Sequence, residues 1–274
     1  MEKKIFAMDM DGTCLDSRSR ISDETLTWLH RAKAQGVEII PTTGRPLSCI
    51  PHQLKEEKIY RYVITSNGAV VTDTQEGKTI FSALMPLETA VSLMEECEGS
   101  GLGMTAHIEH EYLLQGRLLA ALGRLHYGKD ASNAKAIRKL IPYAKACQKD
   151  VEELQFFFFS QSARKRTQAS LAGHTGVAAA YADHYVEIYS KDADKGTALA
   201  AAARYLSIPR DNVACIGDGE NDIPMFQEAG IRFAMGNAVP ALKSAADKVV
   251  SSNDENGVAQ AIQCLLKYNN RRSI

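Results

Sequence analysis

The sequence has no excess of either charge, no long hydrophobic run and no paired-cysteine motif. Its 274 residues carry a formal net charge of −1, which excludes a broad electrostatic attraction to nucleic acid or to an anionic membrane. No stretch reaches the roughly 20 apolar residues that a membrane helix needs. Asp9 interrupts the apolar start too early for a signal peptide, so we expect none.

The six cysteines form no C-x-x-C pair and show no metal-ligand spacing. We interpret them as ordinary thiols of a reducing compartment, and we expect a cytoplasmic protein that binds neither nucleic acid nor a membrane. The chain is long enough for one large domain or two smaller ones, with a substantial core. Whether it is a monomer or a homodimer stays open.

Strand-like and helix-like patterns alternate in the first and last thirds of the chain. Apolar strand-like runs occur at 4–8, 37–41, 62–65, 213–216, 231–235 and 248–250. Helical periodicity occurs at 22–33, with Ser22 as N-cap, and at 47–57, 195–206, 222–229, 239–246 and 258–268. This alternation predicts an α/β fold with a doubly wound, mostly parallel sheet.

The middle third has a different pattern. Helix-like segments at 87–98 and 135–146 are mixed with strand-like runs at 112–114, 154–160 and 185–189. We therefore predict a core formed by residues 1–83 and 190–274, with an inserted α+β domain at 84–189, because polar and turn-rich segments flank the insertion. Surface or structural roles are favoured for the basic residues inside it that could contact a ligand, which are His107, His110, Arg117, Arg124 and His126.

Polar residues follow four of the predicted core strands. Asp9 and Asp11 end the first, Thr43 the second and Asn67 the third, while Asp218, Asn221 and Asp222 follow the strand at 213–216. A further candidate, Lys195, begins a helix. Because ligands bind outside the carboxyl ends of the strands in an open parallel sheet, we expect these groups to lie together at one edge.

Crowded carboxylates need a cation or a shared proton, and oxygen ligands suit Mg²⁺. Acids, a lysine and a hydroxyl could cradle a phosphoryl group, and a carboxylate could attack it. Each feature has a simpler interpretation: Asp11-Gly12 as a turn, Thr43 as a helix cap and Lys195 as a solvated side chain. The features together, in this order, favour a phosphoryl-transfer site.

These residues resemble the haloacid-dehalogenase-like (HAD) hydrolase superfamily, and within it the Cof-type phosphatases with a type IIB cap. The similar stretches are MDMDGT, TTGRP, TSNGA, SKDADKG, GDGENDIPM, MGNA and ADKVVSSNDENGVAQAI. The resemblance extends over nearly the whole predicted core, and the insertion contains no recognised motif. The resemblance implies a Rossmann-like core and a cap that selects the substrate.

The resemblance also implies roles for individual residues. Asp9 matches the nucleophile and Asp11 the general acid and base. Thr43 and Lys195 match phosphoryl-binding groups. The implied Mg²⁺ ligands are Asp9, Asp218 and the backbone carbonyl of Asp11. Asn221 and Asp222 match positions that support the metal or the phosphate. Gly44, Arg45 and Asn67 are implied secondary contacts with phosphate or substrate.

The leading hypothesis is a Mg²⁺-dependent phosphatase of small phosphorylated metabolites, such as sugar phosphates, nucleotides or phosphorylated cofactors, that forms an aspartyl-phosphate. A phosphomutase on the same scaffold is an alternative. Another is a phosphorylation-dependent signalling module like a receiver domain, although receivers are shorter and place their phosphoacceptor on a later strand. A third alternative is a non-catalytic binding protein. Such a protein would be expected to lack at least one of the main site residues, which are Asp9, Asp11, Thr43, Lys195 and Asp218.

Overall fold

The computed structural model describes residues 3–271, without the side chains at 122, 124–127 and 268–271. The side chains of Arg124 and His126 are therefore outside the described residues. The strands are Lys4–Asp9 (β1), Val37–Thr42 (β2), Tyr62–Thr65 (β3), Val70–Asp73 (β4), Lys78–Ser82 (β5), Leu102–Ile108 (β6), Glu111–Gln115 (β7), Lys135–Ile137 (β8), Glu153–Phe158 (β9), Val177–Tyr181 (β10), Tyr185–Ser190 (β11), Val213–Gly217 (β12), Ile231–Ala234 (β13) and Lys248–Val249 (β14).

The α-helices within the same residues have the following bounds: Asp23–Ala34 (α1), His52–Glu56 (α2), Leu87–Cys97 (α3), Gly116–Tyr127 (α4), Leu140–Cys147 (α5), Gln161–Leu171 (α6), Lys195–Tyr205 (α7), Ile223–Glu228 (α8), Pro240–Ala245 (α9) and Gly257–Arg271 (α10). None of these described helices is long and apolar enough to cross a membrane.

The chain divides into two compact units. The first comprises Met1–Gly44, Gln53–Phe81 and Asp194–Ile274, and the second comprises Arg45–His52 and Ser82–Ala193. The short segment Arg45–His52 thus belongs to the second unit although it precedes the insertion in sequence. The assignment of a catalytic role to one unit and a substrate-selecting role to the other stays a prediction.

The first unit is built on a sheet with the strand order β14-β13-β12-β1-β2-β3-β4-β5. Its pairings from β14 to β3 are parallel, whereas β4 runs antiparallel to β3. Central β1 is buried from Ile5 onward, as expected for a strand covered on both faces. The crossovers from β1 to β2 and from β12 to β13 leave in opposite directions along the sheet. Since such crossovers are right-handed as a rule, their helices are expected on opposite faces. The predicted mostly parallel α/β core is confirmed.

The second unit contains a mixed sheet with the order β10-β11-β9-β6-β7-β8. One face packs against α3 and α5 around Met94, Leu154 and Phe156. The other face carries a smaller cluster that includes Tyr112 of β7 and Leu119 of α4. The predicted inserted α+β region is therefore confirmed.

Two local predictions were wrong. The expected helix at 47–57 is a 3₁₀ turn at Leu47–Cys49 followed by short α2, because Pro51 holds Ile50 in an extended conformation. The expected helix at 135–146 begins only at Leu140, since Lys135–Ile137 pairs with β7 as a parallel edge strand. Six further elements were not predicted, namely β4, β5, β6, β10, α4 and α6.

His107 is buried on β6, and its burial gives a pH prediction. Burial lowers the pKa of the His107 imidazole to about 4, although Glu152 acts in the opposite direction. The Glu153 carboxylate lies 3.9 Å from Nδ1. Since unfolded histidine gains its proton near pH 6.5, the unfolded state binds more protons between about pH 6.5 and 4. Stability is therefore lost as the pH falls through this window.

We expect the second unit to lose on the order of 3 kcal/mol across this window, and His107→Leu to remove most of that dependence. Hydrogen exchange at the amides of β6 and β9, measured between about pH 7 and pH 4.5, tests this. Exposed His184 supplies the control, because His184→Gln should leave the dependence intact. An unchanged pH dependence in His107→Leu would contradict the assignment.

Candidate active site

The polar groups gather where the strand order of the first unit reverses. Successive crossovers run from β1 to β2 on one side and from β12 to β13 on the other, and β1 lies directly beside β12. Asp9 ends β1, and Asp218 follows the last residue of β12. A crevice outside such a switch point is the usual ligand site of a doubly wound sheet.

A buried lysine joins two of the acids. The Lys195 ammonium donates to Asp9 Oδ1 and to Asp222 Oδ1, at 2.7 Å in each case. Lys195, Asp9 and Asp222 are respectively 1%, 6% and 0% exposed. Charged groups this deeply buried persist only when they are paired and hydrogen-bonded, so each of the three depends on the others.

Local sequence places Lys195 at this point. Asp194 is the N-cap of α7, and its carboxylate accepts hydrogen bonds from the amides of Gly196 and Thr197. Lys195 is therefore the first residue of the helix. Gly196 lets α7 approach α8, since a Cβ at this position would come within 2.3 Å of the Pro224 carbonyl oxygen.

Both carboxylate oxygens of Asp222 are engaged. Oδ1 accepts from Lys195, while Oδ2 accepts from the backbone amides of Asp218 and Gly219 at 2.9 and 3.0 Å. A Cβ at Gly217 would lie 2.4 Å from Oδ2, so glycine is needed there. Asp222 thus fixes both the lysine and the loop that carries Asp218.

Asp218 completes the acidic group. One oxygen each from Asp9, Asp218 and Asp222 lies within 4.8 Å of the others. The Thr13 hydroxyl donates to Asp218 Oδ1 at 2.6 Å. Burial raises the pKa of the Asp218 carboxyl, an effect that the Thr13 hydrogen bond opposes.

The charges in this cluster do not balance. When all are ionised, three carboxylates against one ammonium leave two negative charges. Burial raises the pKa of Asp9 well above its usual range, the Asp222 carboxylate adds to this, and Lys195 opposes it. Burial lowers the pKa of Lys195, but the carboxylates of Asp222 and Asp9 outweigh this and raise it overall. The carboxylates therefore keep Lys195 charged, and the excess negative charge of the cluster would attract a further cation.

A divalent metal ion fits these residues. The donors are carboxylate oxygens, which hard cations prefer, and a 2+ charge would offset the excess negative charge. Because both Asp222 oxygens already accept hydrogen bonds, Asp9 and Asp218 are better placed to hold the ion directly. Asp222 would then act by holding Lys195 and the Asp218 loop.

The loops after β2 and β3 extend the same edge. Asp9 pairs with Thr42 across β1 and β2, so buried Thr43 follows at the same level. The Thr43 carbonyl accepts from the amide of Asn67 at 3.1 Å. Asn67, with a φ of 53°, lies over Gly44, where a Cβ would be 3.0 Å from Nδ2. The Asn221 side chain donates to Asn67 Oδ1 at 3.1 Å.

The side chains of two predicted site residues lie outside the acidic group. β1 ends at Asp9, and Asp11 is exposed in the following turn, so the acidic group does not include its side chain. Its backbone carbonyl remains the predicted ligand. Arg45 belongs to the second unit, where its buried guanidinium pairs with Asp130 at 2.9 Å. A substrate contact by Arg45 stays a prediction.

Comparisons with known proteins agree with this geometry. The family model described as haloacid dehalogenase-like hydrolase matches residues 6–262. The chain is 31% identical over 276 residues to putative phosphatase YxeH of Bacillus subtilis (strain 168), covering 96% of this chain and 98% of that protein. The chain is a haloacid dehalogenase-like hydrolase.

Two further relatives extend the likeness. This hydrolase is 29% identical over 285 residues to 5-amino-6-(5-phospho-D-ribitylamino)uracil phosphatase YwtE of B. subtilis, covering 96% of this chain and 98% of that protein. It shares its fold with a solved subclass IIB sugar phosphatase, with a TM-score of 0.79, 24% identity and coverage of 96% and 99%. The predicted resemblance to phosphatases of this superfamily is confirmed, and the chain is a phosphoric monoester hydrolase.

Two residues of the hydrolase site were missed from the sequence. Thr13 belongs to MDMDGT but was assigned no role, and its hydroxyl holds Asp218 in place. Asn237 of MGNA donates to the Gly12 carbonyl at 2.8 Å and accepts from the Asn253 amide at 3.1 Å. A small hydroxyl or amide residue beside a glycine in each motif was the available signal.

Gly12 provides a steric test of the site. Its φ is +82°, and a Cβ would lie 2.5 Å from Asp218 Oδ2. Gly36 has a similar φ of +78° with nothing within 4 Å of a Cβ. Both alanine variants should lose about 1 kcal/mol of stability from backbone strain. Only Gly12→Ala should also lower phosphate release, by about tenfold or more, because it displaces Asp218.

Urea unfolding measures the stability and is followed by the fluorescence of Trp28, which lies in the first unit. An assay of phosphate release measures the activity. Equal activity in the Gly12→Ala and Gly36→Ala proteins would show that the position of Asp218 does not matter.

Proposed function

We propose that this hydrolase is a Mg²⁺-dependent phosphatase of small phosphorylated metabolites that works through an aspartyl-phosphate on Asp9. The observation that carries the proposal is the Lys195 ammonium held between Asp9 and Asp222, with Asp218 beside them. This arrangement provides a carboxylate nucleophile, a fixed positive charge and oxygen ligands at one point. The phosphorylated metabolite named as the substrate of the relative YwtE of B. subtilis supports this class of substrate.

In the first step, a carboxylate oxygen of Asp9 attacks phosphorus. The bond from phosphorus to the leaving oxygen breaks, and that oxygen takes a proton from Asp11. The exposure of Asp11 suits a group that meets a leaving alcohol and then water. Lys195 and the hydroxyl of Thr43 would hold the phosphoryl oxygens. Because both groups are already in place, they would stabilise the negative charge on those oxygens.

In the second step, Asp11 takes a proton from water as the water oxygen attacks phosphorus. The bond between phosphorus and Asp9 breaks, inorganic phosphate leaves, and both carboxyl groups return to their starting states. When bound, Mg²⁺ would neutralise charge on the carboxylates and on the phosphoryl oxygens. Asp9, Asp218 and the Asp11 carbonyl would hold it.

The free thiols of all six cysteines agree with a reducing compartment, and we place the enzyme in the cytoplasm.

Asp9→Asn tests the nucleophile. The amide has nearly the same shape but does not attack phosphorus, so phosphate release from sugar phosphates, nucleotides and phosphorylated cofactors should fall at least about a thousandfold. Exposed Asp211→Asn controls for loss of a surface charge in the same unit. Substantial turnover by a folded Asp9→Asn protein would remove Asp9 from this role.

A chelator should abolish phosphate release, and added Mg²⁺ should restore it. Calorimetry provides a second readout, because Mg²⁺ binding to the native chain should be lost in Asp218→Asn but kept in Glu220→Gln, where the exposed acid lies two residues away. Activity that persists in excess chelator would exclude the metal from the reaction.

A further inference from the structure

The second unit contains a pocket that the proposed chemistry does not use. Strands β9 and β11 place alternate side chains on one face of the sheet, opposite the face that packs against α3 and α5. Tyr185 lies directly opposite Phe157, and Glu187 directly opposite Gln155. An aromatic pair and a polar pair therefore lie side by side on one surface of the sheet.

A cavity of about 370 Å³ lies over this surface, which is within the range of small-molecule sites. Its apolar walls include Leu114 of β7, Leu119 of α4 and Phe159, which follows β9. Phe157 and Tyr185 add two further rings, with centroids 5.6 Å apart and planes inclined at 34°.

Two details indicate that the space is built into the sheet. Gly103 pairs with Phe157, and a Cβ there would lie 3.1 Å from the Phe159 ring and 3.4 Å from Leu119. The missing side chain lets the Phe159 ring and Leu119 lie close against the sheet at this edge of the cavity. Phe159 is 62% exposed although it is a large apolar ring, so its apolar surface is available to a ligand.

The polar side of the pocket is fixed in position. Gln155 is 6% exposed. Its amide oxygen accepts from the Tyr112 hydroxyl at 3.1 Å, and its amide nitrogen donates to Glu153 Oε1 at 2.8 Å. The carboxylate of Glu187 lines the cavity next to it. A held amide and a carboxylate beside aromatic walls can orient a ligand with little loss of entropy.

This chemistry selects one class of ligand. A flat ring would bury its faces against Phe157, Phe159 and Tyr185, while a ring N–H at its edge would donate to Glu187. A polyol would lose hydrogen bonds with water against the leucine and phenylalanine walls. A compact cation would be attracted by the rings and the carboxylate, but would leave the leucine side of the cavity unfilled.

We propose that this pocket of the second unit binds a planar heterocycle that carries an N–H donor on its edge. The heterocycle is either part of a phosphorylated substrate or a free, unphosphorylated compound. The ligand chemistry is the same for both sources, and the pocket is lined entirely by residues of the second unit.

Riboflavin is a suitable probe, because its ring system carries an N–H between two carbonyls and its fluorescence is quenched on stacking. Titration of the native chain should show saturable quenching. Phe159→Ala should weaken binding about tenfold through lost stacking, and Glu187→Gln about tenfold through the lost charged acceptor. Phe159 is exposed, so its truncation should leave the fold intact; Phe157→Leu is a second, milder test of the aromatic wall.

Matched controls lie elsewhere in the same unit. Tyr181→Ala removes a partly exposed ring of β10, and Glu111→Gln removes a carboxylate of β7 that pairs with Lys135. Neither residue lines the pocket, so neither variant should change riboflavin binding. Ribitol, which lacks the ring, and tetramethylammonium, which is only a cation, should not compete.

Measurements of hydrolysis distinguish a heterocycle that is part of the substrate from one that is a free compound. If the ring belongs to the substrate, the ratio of kcat/KM for flavin mononucleotide to that for glucose 6-phosphate should fall about tenfold in Phe159→Ala. If the ligand is a free compound, this ratio stays constant while riboflavin binding still weakens. Both results support the site.

Three results would overturn the proposal: no saturable riboflavin binding, equal binding by the native chain and both pocket variants, or displacement by tetramethylammonium. The binding measurements need no turnover and can be repeated in Asp9→Asn. Failure of the phosphatase mechanism and failure of the pocket are therefore separate outcomes.

Discussion

The buried ammonium of Lys195 is the contact on which the rest of the site depends. It lies between two carboxylates that would otherwise repel each other in a place with little water. It can reach them only because α7 begins at this residue and packs closely on α8 through Gly196. Asp222 passes the constraint on to the Asp218 loop through two backbone amides. Fold and charge thus fix the proposed nucleophile and the proposed metal-binding oxygens together.

Much of this was predictable, because the central features are local. The apolar run Ile5–Met8 predicts a strand buried on both faces, and polar residues after several such runs predict one edge of a parallel sheet. Ser22 predicts its helix start and accepts the amide hydrogen bond of Thr25. The order in which the motifs occur favoured phosphoryl transfer, since a doubly wound sheet brings the residues that follow its central strands to one edge.

The remaining features depend on contacts that are distant in sequence. β10 reads Val-Ala-Ala-Ala-Tyr, which favours a helix, yet it pairs with β11 along its whole length. Arg45 follows the Thr43 motif directly, but its guanidinium pairs with Asp130, 85 residues away. The pocket of the second unit joins residues of β7, β9, β11 and α4, and no short motif marks it. Contacts between residues far apart in sequence, rather than local spacing, create these features.

The covalent intermediate is the central claim, and the most direct measurement is to locate the phosphoryl group. An Asp11→Asn protein, which lacks the group proposed to activate water, is mixed with Mg²⁺ and p-nitrophenyl phosphate, whose leaving group departs without a proton from Asp11. The mixture is quenched in acid and digested for mass spectrometry. The account predicts phosphate on the peptide that contains Asp9, and none when Asp9 is also replaced by Asn. Phosphate on another residue, or turnover in the native chain without any phosphorylated aspartate, would contradict it.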